Sequence, residues 1–107
     1  MITIDDFQKL EIKIGTILEA EKVPDTDKLV KLIVDLGDEK RTIVAGIALA
    51  YPEADKLIGK QLPILTNLEP RTLRGLESHG MILCASSEDG IALLNPDKSV
   101  PPGSTVR

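Results

Sequence analysis

The residues with the most chemistry to offer lie between two apolar runs. After QLPILTN and before GMILCA comes a polar segment that carries Arg71, Arg74, Ser78 and His79, punctuated by Pro70, Gly75 and Gly80. Two arginines three positions apart suit phosphate, because a guanidinium fork can meet two oxygens at once. On the residues alone two readings of this pair stand: a grip on phosphate, or surface charges neutralised by Glu69 and Glu77. Catalysis has little to work with. Ser78 and His79 are adjacent, so on a strand they face opposite ways and make a poor nucleophile–base pair. A single histidine and a single cysteine, Cys84, give no zinc-ligand spacing. Gly59-Lys60 is followed by Gln61 where a phosphate loop needs Ser or Thr. The chain therefore reads as a binding module, not an enzyme, with no cofactor and no metal.

The polar segment needs a scaffold, and 107 residues supply about one domain, 1–107. The apolar residues are almost all Ile, Leu, Val and Ala, with Phe7 and Tyr51 the only aromatic ones. A lone Cys84 inside an apolar run is expected to be a buried, inert thiol. No apolar run nears the ~18 residues of a membrane span, and a signal peptide's basic and apolar regions are missing from the start. A soluble, cytoplasmic protein with no membrane contact is the expectation. The net charge of −4 argues against an indiscriminate nucleic-acid binder. The acids crowd into residues 1–27, however, and residues 28–41 and 60–82 carry a slight positive excess.

Periodicity then gives the elements. Residues 3–9 predict a short helical segment, capped by Thr3 with Asp5 and Asp6 in its first turn and docked through Ile4 and Phe7. Leu10 to Val23 predicts a long first strand whose apolar phase slips at Gly15, the mark of a bulge or bend. Pro24-Asp25-Thr26-Asp27 is a turn. Val30, Leu32, Val34 and Leu36 alternate and predict a second strand over 29–36; residues 41–45 return as a third. Residues 47–58 hold one or two helical turns, with Pro52 early and Gly59 just past the end. Strands over 61–66 and 80–86 and a short IALL strand follow, then a proline-rich tail that cannot be helical. The order β-β-β-α-β-β matches an all-β, five-stranded Greek-key barrel of the OB type, with one short helix between the third and fourth strands and extensions at both ends, 1–9 and 95–107. Such barrels bind ligands on the face of strands 2 and 3 and in the loops after strands 1 and 4. Those loops hold or border Lys28, Arg71 and Arg74, and Arg41 opens strand 3. Stacking single-stranded bases needs aromatic platforms, and two aromatics placed elsewhere are too few. Folded RNA, recognised by shape, backbone and 2′-hydroxyl, fits better.

The segments PDTDKL (24–29), RTIVAGIA (41–48), LIGKQ (57–61), NLEPRTLRGLESHGMILCAS (67–86) and PDKSVPPGS (96–104) resemble the tRNA-binding domain family. That family includes the methionyl-tRNA synthetase β subunit or C-terminal domain and free-standing structure-specific tRNA-binding proteins. The resemblance covers about residues 5–107. It implies an OB fold, non-catalytic structure-specific tRNA binding in support of methionyl-tRNA synthetase, and a homodimer formed through the N-terminal segment and the tail. Ile2, Ile4, Phe7 and Val100 would supply that contact, unless they simply plug the barrel ends. The family's binding positions fall here on Lys28, Arg41, Asn67, Arg71, Arg74, Ser78 and Met81. Arginines would meet phosphate, Asn67 and Ser78 would hydrogen-bond backbone or sugar, and Met81 would pack beneath the loop. Glu69 and Thr72 stand where relatives often carry basic residues, which predicts weaker tRNA affinity. Bacterial secretion-chaperone-like proteins share the motif, so a peptide-binding dimer is the alternative implied.

Overall fold

The computed structural model describes residues 1–107 and is almost wholly β. Strand β1 (Ile12–Lys22) is the spine. Its first half pairs antiparallel with β4 (Gln61–Leu65), and its second half with β2 (Val30–Asp35); Thr16 belongs to both ladders. β2 pairs in turn with β3 (Lys40–Ala45). The alternation predicted for strand 2 is observed: Val30, Leu32 and Val34 are fully buried, and Lys31, Ile33 and Asp35 are half-buried on the outer face. Together with Ile17, Ile43, Leu57, Leu62 and Ile64 they form the core of an OB barrel.

β1 does change phase, but not by a bulge at Gly15. The ladder to β4 runs without a break through Gly15, and the register shift lies between Ile17 and Glu19, against β2. Gly15 answers a different need. A Cβ there would stand 2.6 Å from Ile64 Cδ1 and 3.3 Å from Leu36 Cδ2, so the core closes over bare backbone. Side-chain alternation reports only which face is buried. It does not distinguish an extra residue from a missing side chain.

Three further elements differ from expectation. The helix between strands 3 and 4 is one turn of 3₁₀ helix, Ala54–Leu57, anchored by buried Ala54 and Leu57. The strand expected over 80–86 is two, β7 (Met81–Ile82) on β4 and β8 (Cys84–Ser87), which forms a hairpin with β9 (Gly90–Leu93). The Tyr51 hydroxyl accepts a hydrogen bond from the Leu93 amide at 2.9 Å, tying that hairpin to the loop after β3. At the N-terminus α1 (Ile4–Phe7) has the predicted Thr3 cap, reciprocated by Asp6. Ile4 does not dock: it is 67% exposed, and only Phe7 is half-buried.

The tail closes the barrel's lower end. Its strand β10 (Thr105–Val106) pairs with the start of β1; the Ile14 amide donates to the Ser104 carbonyl, and the Ile14 carbonyl accepts from the Gly103 amide. No helix is long and apolar enough to cross a membrane.

Candidate nucleic-acid interface

The segment after β4 is a built element. Residues Arg71–Leu73 and Leu76–Ser78 form a β-hairpin, β5–β6, with Arg74 and Gly75 as its two-residue turn. Both turn residues have positive φ, 51° and 81°, as in a type I′ turn. Glycine adopts that conformation freely; an arginine is held there at a cost of about 1–2 kcal/mol. The cost goes to a residue whose side chain is exposed at the hairpin tip.

Three of the expected site residues secure the base of this hairpin. Ser78 is 4% exposed. Its hydroxyl accepts from the Val44 amide at 3.0 Å and donates to the Gly80 carbonyl at 3.1 Å. With the His79 amide on the Thr42 carbonyl at 2.9 Å, this seam joins β3 to the segment before β7 and closes the barrel. Arg41 reaches the carbonyls of Thr66 and His79 and pairs with Glu39, whose carboxyl it holds below its ordinary range, first by hydrogen bonding and then by charge. Asn67 clamps the N-terminal segment: its amide donates to the Lys9 carbonyl at 2.7 Å and accepts from the Glu11 amide at 2.9 Å.

Of the remaining site residues, Arg71 and Met81 line an open cleft of about 550 Å³, Lys28 adjoins it through Leu29, and Arg74, at the hairpin tip, is not part of its lining. The cleft walls come from Leu29 and the end of β3, from the 68–73 stretch, and from Met81 to Cys84 with Ile91. The end of β3, one of the two strands whose face holds ligands in OB barrels, forms one wall. Arg71 lines the cleft, Met81 is 41% exposed in its floor, and Lys28 precedes Leu29 at its mouth. Cys84 is half-buried and lines the cleft, where a fully buried thiol was expected; partial burial pushes its thiol up. Arg41 instead lines a second, polar recess with Lys40, Thr42 and His79; Leu68 borders both. Neither Arg71 nor Arg74 makes an ion pair: the acidic partners in the structure serve Lys9, Arg41, Lys56 and His79. The reading in which Glu69 and Glu77 neutralise the two arginines is therefore set aside. Glu77 lies near His79 instead, at 3.7 Å.

Lys31 escaped the sequence reading. It lies on the outer face of β2, between Val44 of the cleft wall and Glu21 of β1, lines a shallow recess with Glu19 and Glu21, and makes no ion pair. Its odd position in an even-buried strand was the available signal.

A family model described as "Putative tRNA binding domain" matches residues 12–105. The chain belongs to the tRNA-binding domain family. The methionine–tRNA ligase of Methanococcus aeolicus is 54% identical over 106 residues, 99% of this chain and 16% of that one. The chain thus spans only a small part of the full-length ligases it matches. Among solved structures, the MetRS-related protein of Pyrococcus horikoshii superposes with a TM-score of 0.94 at 42% identity, over 100% of this chain and 98% of that one. The chaperone CsaA of Bacillus anthracis superposes at 0.90 and 26% identity, over 100% and 99%. Both cover this tRNA-binding domain from end to end, α1 and the tail included.

Proposed function

We propose that this tRNA-binding domain is a non-catalytic module that grips folded tRNA through the β5–β6 hairpin and the strand 2–3 face, in support of methionyl-tRNA synthesis. The carrying observation is the pair Arg71 and Arg74, exposed, unpaired and presented by a rigid hairpin on the OB ligand face. Lys28 and Lys31 extend the cationic surface, and Met81 adds an apolar floor. Asn67, Ser78 and Arg41 serve binding by fixing the hairpin's base, since their polar atoms are already engaged within the fold. The ligase relatives support a methionyl-tRNA synthetase as the enzyme served. Ile2 and Ile4, 73% and 67% exposed, support a homodimer through the N-terminal segment. A gel-shift titration with bulk tRNA at low salt tests the reading. Wild type is expected to bind and Arg71→Ala/Arg74→Ala to fail; no binding by wild type overturns it.

A second reading, a peptide-binding chaperone-like dimer, is favoured by the apolar lining of the cleft and by the likeness to CsaA. It predicts capture of unfolded polypeptide that is insensitive to salt and to the two arginine substitutions.

A further inference from the structure

Glu69 is an anomaly on a face meant for phosphate. It lines the same cleft as Arg71, is exposed, and makes no ion pair with that arginine or any other cation. Residues 69, 71 and 73 all line the cleft, so a carboxylate, a guanidinium and an apolar side chain follow one another along one wall. An ionised carboxylate only accepts hydrogen bonds, and it repels phosphate. A partner seated against it must donate hydrogen bonds. The other walls, Val44, Leu83 and Ile91 among them, are aliphatic, and the cleft holds about 550 Å³. Enzymes that extrude bases hold them between apolar side chains and read the Watson–Crick edge by hydrogen bonds.

Guanine alone among the four RNA bases presents two adjacent N–H donor groups on that edge, N1–H and the N2 amine, and a carboxylate can accept both. Uracil offers one N–H between two carbonyl oxygens, which a carboxylate opposes. Adenine and cytosine each pair an amino group with a ring acceptor. We infer that the cleft between the β5–β6 and β8–β9 hairpins seats one unstacked guanine of the bound RNA, with its Watson–Crick edge on Glu69 and its phosphate on Arg71. The inference rests on the tRNA-binding reading and adds a base preference to it. Glu69 then selects a base, where a lysine at that position would only add a phosphate contact.

The single cysteine provides a reporter, because Cys84 lines the cleft. Its alkylation by iodoacetamide is followed above neutral pH in wild type and Glu69→Gln, with guanosine, inosine or uridine 5′-monophosphate added. A gel shift with bulk tRNA runs alongside. Guanosine monophosphate is expected to slow alkylation, and uridine monophosphate to leave it unchanged. Inosine lacks the N2 amine and should bind about tenfold or more weaker, the loss expected for one hydrogen bond to a charged group. Glu69→Gln should abolish the difference between guanosine and inosine. Equal protection by guanosine and uridine monophosphates, or by neither, while tRNA still shifts, would overturn the guanine seat and leave the tRNA reading standing. Protection by an unfolded polypeptide and by no nucleotide would overturn it in favour of a peptide occupant. Loss of the tRNA shift itself would overturn both.

Discussion

Replacing Arg71 and Arg74 together by alanine should change the salt dependence of tRNA binding, not only its strength. Four cations on or beside the ligand face make no ion pair: Lys28, Lys31, Arg71 and Arg74. If each neutralises one phosphate, released counterions give a slope of log affinity against log salt of about −3.6, near −0.9 per contact. The double variant keeps two contacts and should show about −1.8. Between 50 and 200 mM salt, wild type would then lose roughly 150-fold in affinity and the double variant roughly 12-fold. Fluorescence anisotropy of labelled tRNA over a KCl series measures both slopes. Arg41→Ala is the internal contrast. Its guanidinium is occupied by Glu39 and the carbonyls of Thr66 and His79, so its loss should cost about 1–3 kcal/mol in urea unfolding and leave the slope alone. An unchanged slope in the double variant, or a fall of about one unit in Arg41→Ala, would refute the division between free and engaged cations.

Arg74→Asn keeps the turn and suits its positive φ, so the unfolding free energy from urea titration should rise by up to about 1 kcal/mol while tRNA affinity falls. A fall in both would mean that the arginine side chain supports the fold. Gly15→Ala should destabilise by about 1–3 kcal/mol, because the new methyl would stand 2.6 Å from Cδ1 of buried Ile64, whose side chain must shift within the core; circular dichroism melts report it. Glu39 titrates below its ordinary value near 4.5 in the folded state, so its pairing with Arg41 stabilises above that pH and is lost as pH falls through the lower folded value. Glu39→Gln should flatten the acid limb of the stability profile relative to wild type.

The barrel was legible where burial has a period. Val30, Leu32 and Val34 announce β2, and the dual role of the first strand follows from its length and its phase change. The β5–β6 hairpin was not legible. Its strands have three residues each, too few for a period, and Arg74 carries none of the left-handed preference that an asparagine would signal. The site divides the same way. The spacing of Arg71 and Arg74 suited phosphate but left them open to pairing with Glu69 and Glu77, and only the structure shows them without ion pairs. Ser78 and Asn67 look identical in sequence whether they face a ligand or the fold, since a hydroxyl or an amide suits either. Only the partners, Val44 and Gly80 for Ser78 and Lys9 and Glu11 for Asn67, show which groups they already serve.

β1 meets β4 along one half, β2 along the other and the tail at its start. A fold with such a keystone has no stable half. Fraying β1 would release the tail, both ladders and the seam beneath the hairpin together, so the grip on RNA should vanish in the same transition that melts the barrel. Amide protons along Ile12–Lys22 should accordingly be among the last to exchange, and no partly folded species should retain tRNA.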